Sequence, residues 1–526
     1  MKNIKKLLFV AAIFLLATGC KKILDQSPQG TQTEANFFLD PKQAILGVNA
    51  VYDVASWDEG PGAGHNYEWM YGDVMSEDAE KGSTPGDFPT ITDFKNWTAD
   101  PANSPSGSTY KNMFQGIFRA NTVIKNLSIA SWDQQLKNRI LGEAYFMRGY
   151  FYFYLARLFG GMPLFNEPVL PSQFGTTPRA DFSATLKFVE DDFKKAKDLL
   201  PEKSGFSSAD LGRATKGAAN AYLARVIMYQ LGTINKNNHT WQEVYDISNT
   251  IIASGQYSLL ANYAQIYEIE GANSSESIFE IQCKATSENW GPIKAGTSNN
   301  IIQNSRKLWG WGFNNPTANL GNEFELNDPR KACTMYKDGD IVLGIKQVID
   351  FPNENATGYL NRKAAILKPL EPKSSGQNLR KFRYDDVLLM KAEAAANINK
   401  EQEARDILNQ IRDRARNSSK PKGSIEGTLT YEPTGAPANT LPPITSAVTG
   451  VSLKLAIMHE RRVELAEESI HLWDQIRWGT YFSSLSAATS AKAQSHSITG
   501  GVNPVPVLPI PQSEIQSWGI LQNPAY

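Results

Sequence analysis

Residues 136–159 contain no proline and carry the unbroken aromatic string Tyr150, Phe151, Tyr152, Phe153, Tyr154. They stop at Gly160 and Gly161 with Pro163 just beyond, which is the glycine stop of a long helix. A helix that is aromatic on every side can leave no face in water, so other elements must enclose it. The segment thereby commits the chain to a helical layer built around it.

Further helices follow from composition and spacing. Ala214, Gly217, Ala218, Ala221 and Ala224 put small residues on one face of a helix over Arg213 to Leu231, where neighbours can approach closely. After the Asn-rich turn at 235–238, Trp241 to Ala253 reads as an amphipathic helix ended by Gly255. Tyr384 to Asn397 and Glu401 to Arg416 form an Ala-rich pair, and Leu453 to Trp478 one more long helix. Helix pairs with small residues at their contacts predict tetratricopeptide-like units or an ordinary bundle, with no strict period of about 34 residues. Between the helical blocks lie Trp57 to Ser108, Gly271 to Gly376 and Ser418 to Gly450. Excursions of this length in a compact chain are functional or disordered, and the first two hold too many aromatics for disorder. The β-branched, alternating run Ile278 to Cys283 predicts a short strand within the second.

The amino terminus has the layout of a signal peptide: Lys2, Lys5 and Lys6, the apolar run Leu7 to Ala17, then Thr18, Gly19 and Cys20. Eleven apolar residues span only about 16 Å as a helix, half of a bilayer core. Small residues before a cysteine are what a lipoprotein signal peptidase requires, so residues 1–19 are expected to be removed and Cys20 acylated. Several acyl chains anchor a protein far more durably than one. Removal of residues 1–19 takes three lysines and no acids, moving the net charge from -1 to -4. That balance lacks the basic field that nucleic-acid binding needs, so nucleic acid is excluded as a partner. Cys283 and Cys333 then remain, too few for a disulfide framework, and are expected as buried free thiols.

Several motifs recur in one order along the chain: Leu24 to Gly30 with Asn36, Phe37 and Phe38; Gly116 to Asn121; Glu143 to Arg148 leading to Arg157 through Leu164; Gly212 to Ala218; Phe382 to Ala394; His459 to Leu465; and Leu508 to Ile515. On these the chain resembles the SusD/RagB glycan-binding lipoproteins of Gram-negative outer membranes. The resemblance implies a mainly α fold, a tetratricopeptide-like helix-pair scaffold with long irregular insertions and a minor β element. It implies one unit over residues 20–526, with an N-terminal part at about 20–235 and a C-terminal part at about 275–526, although length alone would allow two to four domains at about 150 residues each. It also implies a partner, a SusC-like TonB-dependent transporter barrel that the lipoprotein covers while delivering oligosaccharide, and an outer-membrane location facing the cell exterior. Lys21 and Lys22 stand where surface-exported relatives often carry acids.

Catalytic signatures are weak. His459 and Glu460 open like a zinc-protease motif, but Val463 occupies the position of the second ligand. The turn Gly60 to Gly64 lacks the spacing of a phosphate-binding loop, and no carboxylate pair stands out as a glycosidase acid and base. Glu460, Arg461, Arg462 and Glu464 read as helical ion pairs. Asp73, Glu77, Asp78 and Glu80 could hold calcium through hard oxygen ligands, without EF-hand spacing, or form a solvated loop. No other cofactor is expected.

Sugar recognition needs flat apolar surface for the face of a pyranose and hydrogen-bonding groups around its edge. The first excursion offers His65, Tyr67, Trp69, Tyr71 and Trp97 among Asn66, Asp93 and Asn96. The second offers Trp290, Trp309, Trp311 and Phe313 among Asn299, Asn300, Gln303 and Asn304. By the resemblance, glycan platforms of the family are built in these regions, and the candidate ligand-binding residues are Trp69, Tyr71, Trp97, Trp290, Trp309 and Trp311. Trp241, Trp473 and Trp478 fall on helical patterns and are expected in the core. The expected function is non-catalytic capture of oligosaccharide. The alternatives are capture of peptide on the same architecture, a surface glycan hydrolase, and a helical scaffold that binds protein only.

Overall fold

The computed structural model describes residues 34–58, 66–128, 130–173, 175–285, 296–366, 375–425, 428–433 and 435–526. The signal peptide, Cys20, the Leu24 to Gly30 motif, His65 and Trp290 lie outside the described residues. Ten helices carry the architecture: α1 Pro41–Ala55, α2 Ser104–Leu127, α3 Gln134–Phe159, α4 Phe182–Leu199, α5 Lys216–Gly232, α6 Trp241–Ala253, α7 Tyr384–Asn397, α8 Glu401–Arg416, α9 Gly450–Glu464 and α10 His471–Trp478. Among the described residues no helix is long and apolar enough to cross a membrane.

Helix α3 is the centre. Every residue from Phe146 to Phe159 is buried, and Gly160 ends the helix at φ +79°, where a side chain would be strained. Phe146 meets Tyr222 edge to face at 5.4 Å and Phe279 at 4.8 Å, and each ring so enclosed contributes about 1.5–3 kcal/mol of burial. Neighbours in sequence are neighbours in space, α2 and α4 against α3, α5 against α4 and α6, α7 against α6, α8 and α9. The small residues of α5 are buried as the close approach requires; a Cβ on Gly217 would stand 2.5 Å from the Tyr257 hydroxyl. The fold is mainly α, with short strand pairs as the minor β element.

The long helix expected over Leu453 to Trp478 is instead two, α9 and α10, broken at residues 465–470. Glu467 and Ser469 take φ of +59° and +61° there. The cause is tertiary. Gly72 presses against this turn so closely that a Cβ would lie 2.3 Å from the Ser469 carbonyl, and Asp73 Oδ1 accepts from the Ser469 amide at 2.7 Å.

The strands pair two by two, antiparallel, and serve to close the excursions. β1 Ala79–Gly82 pairs with β3 Phe313–Pro316, β2 Ser277–Ile281 with β6 Leu379–Arg383, and β4 Met335–Lys337 with β5 Tyr359–Asn361. The first pairing joins the two long excursions to each other. One hydrophobic core runs from Phe38 to Ile520 through both parts of the chain. A small satellite core, Leu308, Tyr336, Val342, Leu343, Leu360 and Ala365, lies within the second excursion.

The charged residues of α9 pair between elements: Glu460 accepts from Arg330 and Arg412, Arg461 donates to Asp386 and Asp474, and Arg462 donates to Asp78. Cys283 and Cys333 are free, the first half-buried and the second buried, and burial pushes both thiols up to about 12.

Candidate functional site: an exposed indole pair on a braced loop

The aromatic candidates divide sharply. Trp309 and Trp311 keep 64% and 46% of their surface exposed, whereas Trp69, Tyr71 and Trp97 keep 3%, 0% and 2%. The expectation that the latter three face solvent is therefore corrected. Trp69 stacks on Tyr67 at 5.6 Å and meets Phe313 at 5.9 Å. The Tyr71 hydroxyl bonds Thr109 at 2.8 Å, and Trp97 Nε1 donates to the Tyr481 hydroxyl at 2.9 Å. These rings pin the first excursion to the scaffold, which is the common alternative use of loop aromatics. Phe313, one of the expected platform rings, is also fully buried. Trp473 is in the core as expected, while Trp241 and Trp478 are only half-buried.

The loop carrying Trp309 and Trp311 is held at both ends by buried polar groups. The Asn304 carbonyl accepts from the Gly312 amide at 2.8 Å, and the Ser305 carbonyl accepts from Leu308 and Gly310, each at 2.9 Å. Asn304 Oδ1 accepts from Ile366 N at 3.1 Å, Ser305 Oγ bonds Gln347 Oε1 at 2.6 Å, and Asn315 Nδ2 donates to the Gly312 carbonyl at 2.8 Å. Leu308 anchors the loop in the satellite core. Gly310 has no room for a side chain, since a Cβ would lie 2.1 Å from the Asn304 carbonyl. Trp309 itself adopts φ +63°, a left-handed conformation that costs a non-glycine residue roughly 1–2 kcal/mol and persists only where its surroundings impose it.

Arg306, one turn before the indoles, ties three segments together. Its guanidinium lies 3.5 Å from Asp87 and 3.2 Å from Glu354, and Ser83 N donates to the Gly312 carbonyl at 2.7 Å. Sequence reasoning missed Arg306, Ser305 and Gln347; the available signal was a cation and small polar residues bracketing two tryptophans. Asn300, Gln303 and Asn304, expected as sugar-facing groups, are buried. Asn304 and Gln303 instead bond the protein.

The acidic string is not a solvated loop. Asp78 pairs with Arg462 at 2.7 Å, Glu77 lies 3.2 Å from Arg462 and 3.5 Å from His471, and Glu80 lies 3.4 Å from Lys95. Glu77 and Asp78 share Arg462, Glu80 turns to Lys95 and Asp73 accepts from Ser469, so the four are held by protein groups. Glu276, Asp385 and Glu464 do converge, but Arg383 and Arg414 fill that cluster, with Arg330 on Glu464.

A family model described as the SusD family matches residues 275–526, and one described as starch-binding associating with outer membrane matches residues 25–228. A SusD-like protein of Formosa agariphila is 24% identical over 506 residues, covering 90% of this chain and 91% of its own. Among solved structures, a laminarin-binding SusD-like protein is similar at TM-score 0.71 and 27% identity, covering 92% of this chain and 99% of that one. Surface glycan-binding protein A from Bacteroides thetaiotaomicron, solved with laminarihexaose, is similar at TM-score 0.71 and 22% identity over 92% of this chain and 99% of that one.

Proposed function

We propose that this chain, which belongs to the SusD family, is a single unit over residues 20–526 that captures oligosaccharide without altering it and passes it to a TonB-dependent transporter barrel. The observation that carries the reading is the pair Trp309 and Trp311, exposed on a loop that buried amides and a satellite core hold rigid. Flat indoles in a fixed position offer stacking surface to a pyranose at little entropic cost. The glycan ligands named for two similar structures, laminarin and laminarihexaose, support a carbohydrate as the ligand class. Acylation at Cys20 would tether the unit to the outer membrane, facing outward, where a transporter beside it raises the local concentration of captured ligand.

Capture is tested by presenting the mature chain to an array of immobilised glycans and incubating it in parallel with the glycans retained. The reading expects saturable retention with no new reducing ends. Retention of none of them, or release of new reducing ends, would overturn it.

A further inference from the structure

Asp73 and Glu467 stand apart from the acids around them. Glu68 pairs with Lys381 at 2.6 Å and Glu468 with Lys363 at 2.7 Å, but among the described residues neither Asp73 nor Glu467 makes an ion pair. Both converge on one amide: Asn314 Nδ2 lies 3.2 Å from Asp73 Oδ2 and 3.0 Å from Glu467 Oε2. The same nitrogen lies 2.9 Å from Gln303 Oε1, so three acceptors compete for two N–H groups. Two side chains there hold a buried oxygen with no hydrogen-bond partner, Glu467 Oε1 and Asn300 Oδ1. Each residue is more than nine-tenths buried. Asp73, Glu467 and Asn300 all line one cavity of about 90 Å³, room for an ion with several waters.

The geometry points to a binding site for a divalent cation of calcium's size and hardness, held by Asp73, Glu467 Oε1 and Asn300 Oδ1 with water completing the shell. The donors are carboxylate and amide oxygens, and the cavity lining contains no histidine or cysteine, which favours calcium over zinc. Two carboxylates match the ion's charge. Lys363, Arg380 and Lys381 also line the cavity, but each is engaged, with Glu468, with the Asn378 and Glu268 carbonyls, and with Glu68 respectively. Without a cation, burial pushes the Asp73 carboxyl up to about 7, and burial with the nearby Asp73 charge pushes Glu467 well above its ordinary value; an ion would relieve the same strain that a proton otherwise must. Bound there, it would tie the Trp69 turn, the Asn299–Gln303 helix and the turn between α9 and α10.

The test uses the mature full-length chain stripped with a chelator. Calcium titration by calorimetry is expected to show one saturable site, weakened about 10–100-fold in Glu467→Gln. Terbium in place of calcium should emit when tryptophan is excited, because Trp69 lines the cavity; Trp69→Phe should dim that emission while leaving calcium affinity in place. Absence of a saturable site in the unmodified chain overturns the assignment, as does binding unchanged in Glu467→Gln. Should that variant not fold, Asp73→Asn takes its place with the same two outcomes.

Discussion

Arg330 has no exposed surface and donates to Asp328, Glu460 and Glu464 at 2.8, 2.5 and 2.9 Å. Removing one partner of such a cluster leaves buried charge uncompensated, so Arg330→Met is expected to lower stability by about 3–5 kcal/mol in urea unfolding. A loss under about 1 kcal/mol would mean that the carboxylates take up protons at no cost. His459 gives a pH signature. Burial disfavours its charged form, but the hydrogen bond to Glu323 and the Glu325 carboxylate 3.5 Å from Nε2 prevail and push it from 6.5 up to about 9. A raised pKa gives stability that is full below the unfolded value and lost as pH rises through the folded one. Relative to His459→Gln, the unmodified chain should thus keep its advantage below pH 6.5 and lose it through about pH 9. An advantage that grows with pH, followed by urea midpoints, would contradict the assigned pairing.

The loop between Asn304 and Gly312 works as an element because polar residues that look sugar-facing in sequence are turned inward to hold it. Gly310→Ala should therefore displace the loop, with a packing penalty of about 1–3 kcal/mol. Glycan affinity should fall although both indoles remain; unchanged affinity in a calorimetric titration would show that the loop need not be rigid. Helices were legible wherever local signals sufficed. Trp241–Ala253, Tyr384–Asn397 and Glu401–Arg416 have the bounds read from their amphipathic or Ala-rich composition. The break at residues 465–470 was not, because no glycine or proline marks it and its cause, Gly72 with Asp73, comes from almost 400 positions away. The same distance hid the burial of Trp97, whose partner Tyr481 is separated by 384 residues. Loop aromatics that pin a scaffold and those that face ligand share one local composition, and only the remote partner separates them.

At the scale of the molecule, an enclosed helix and its neighbours form a scaffold, and β1 pairs with β3 to join the two long excursions. The family motifs were legible because they are sequence features; that Trp309 and Trp311 are the exposed ones among the described aromatic candidates was not. The cavity that Asp73 and Glu467 face measures about 90 Å³, far below the roughly 300–1,000 Å³ of organic-ligand pockets. On the proposed reading, Trp309 and Trp311 would hold the glycan, and both rings stand largely outside the core. The most direct measurement is a calorimetric titration of a retained glycan into the unmodified chain and into the double variant Trp309→Ala, Trp311→Ala, with the unfolding transition of each recorded alongside. The account predicts a loss of at least about 2 kcal/mol in binding with an unshifted transition; equal affinity in the two proteins would contradict it.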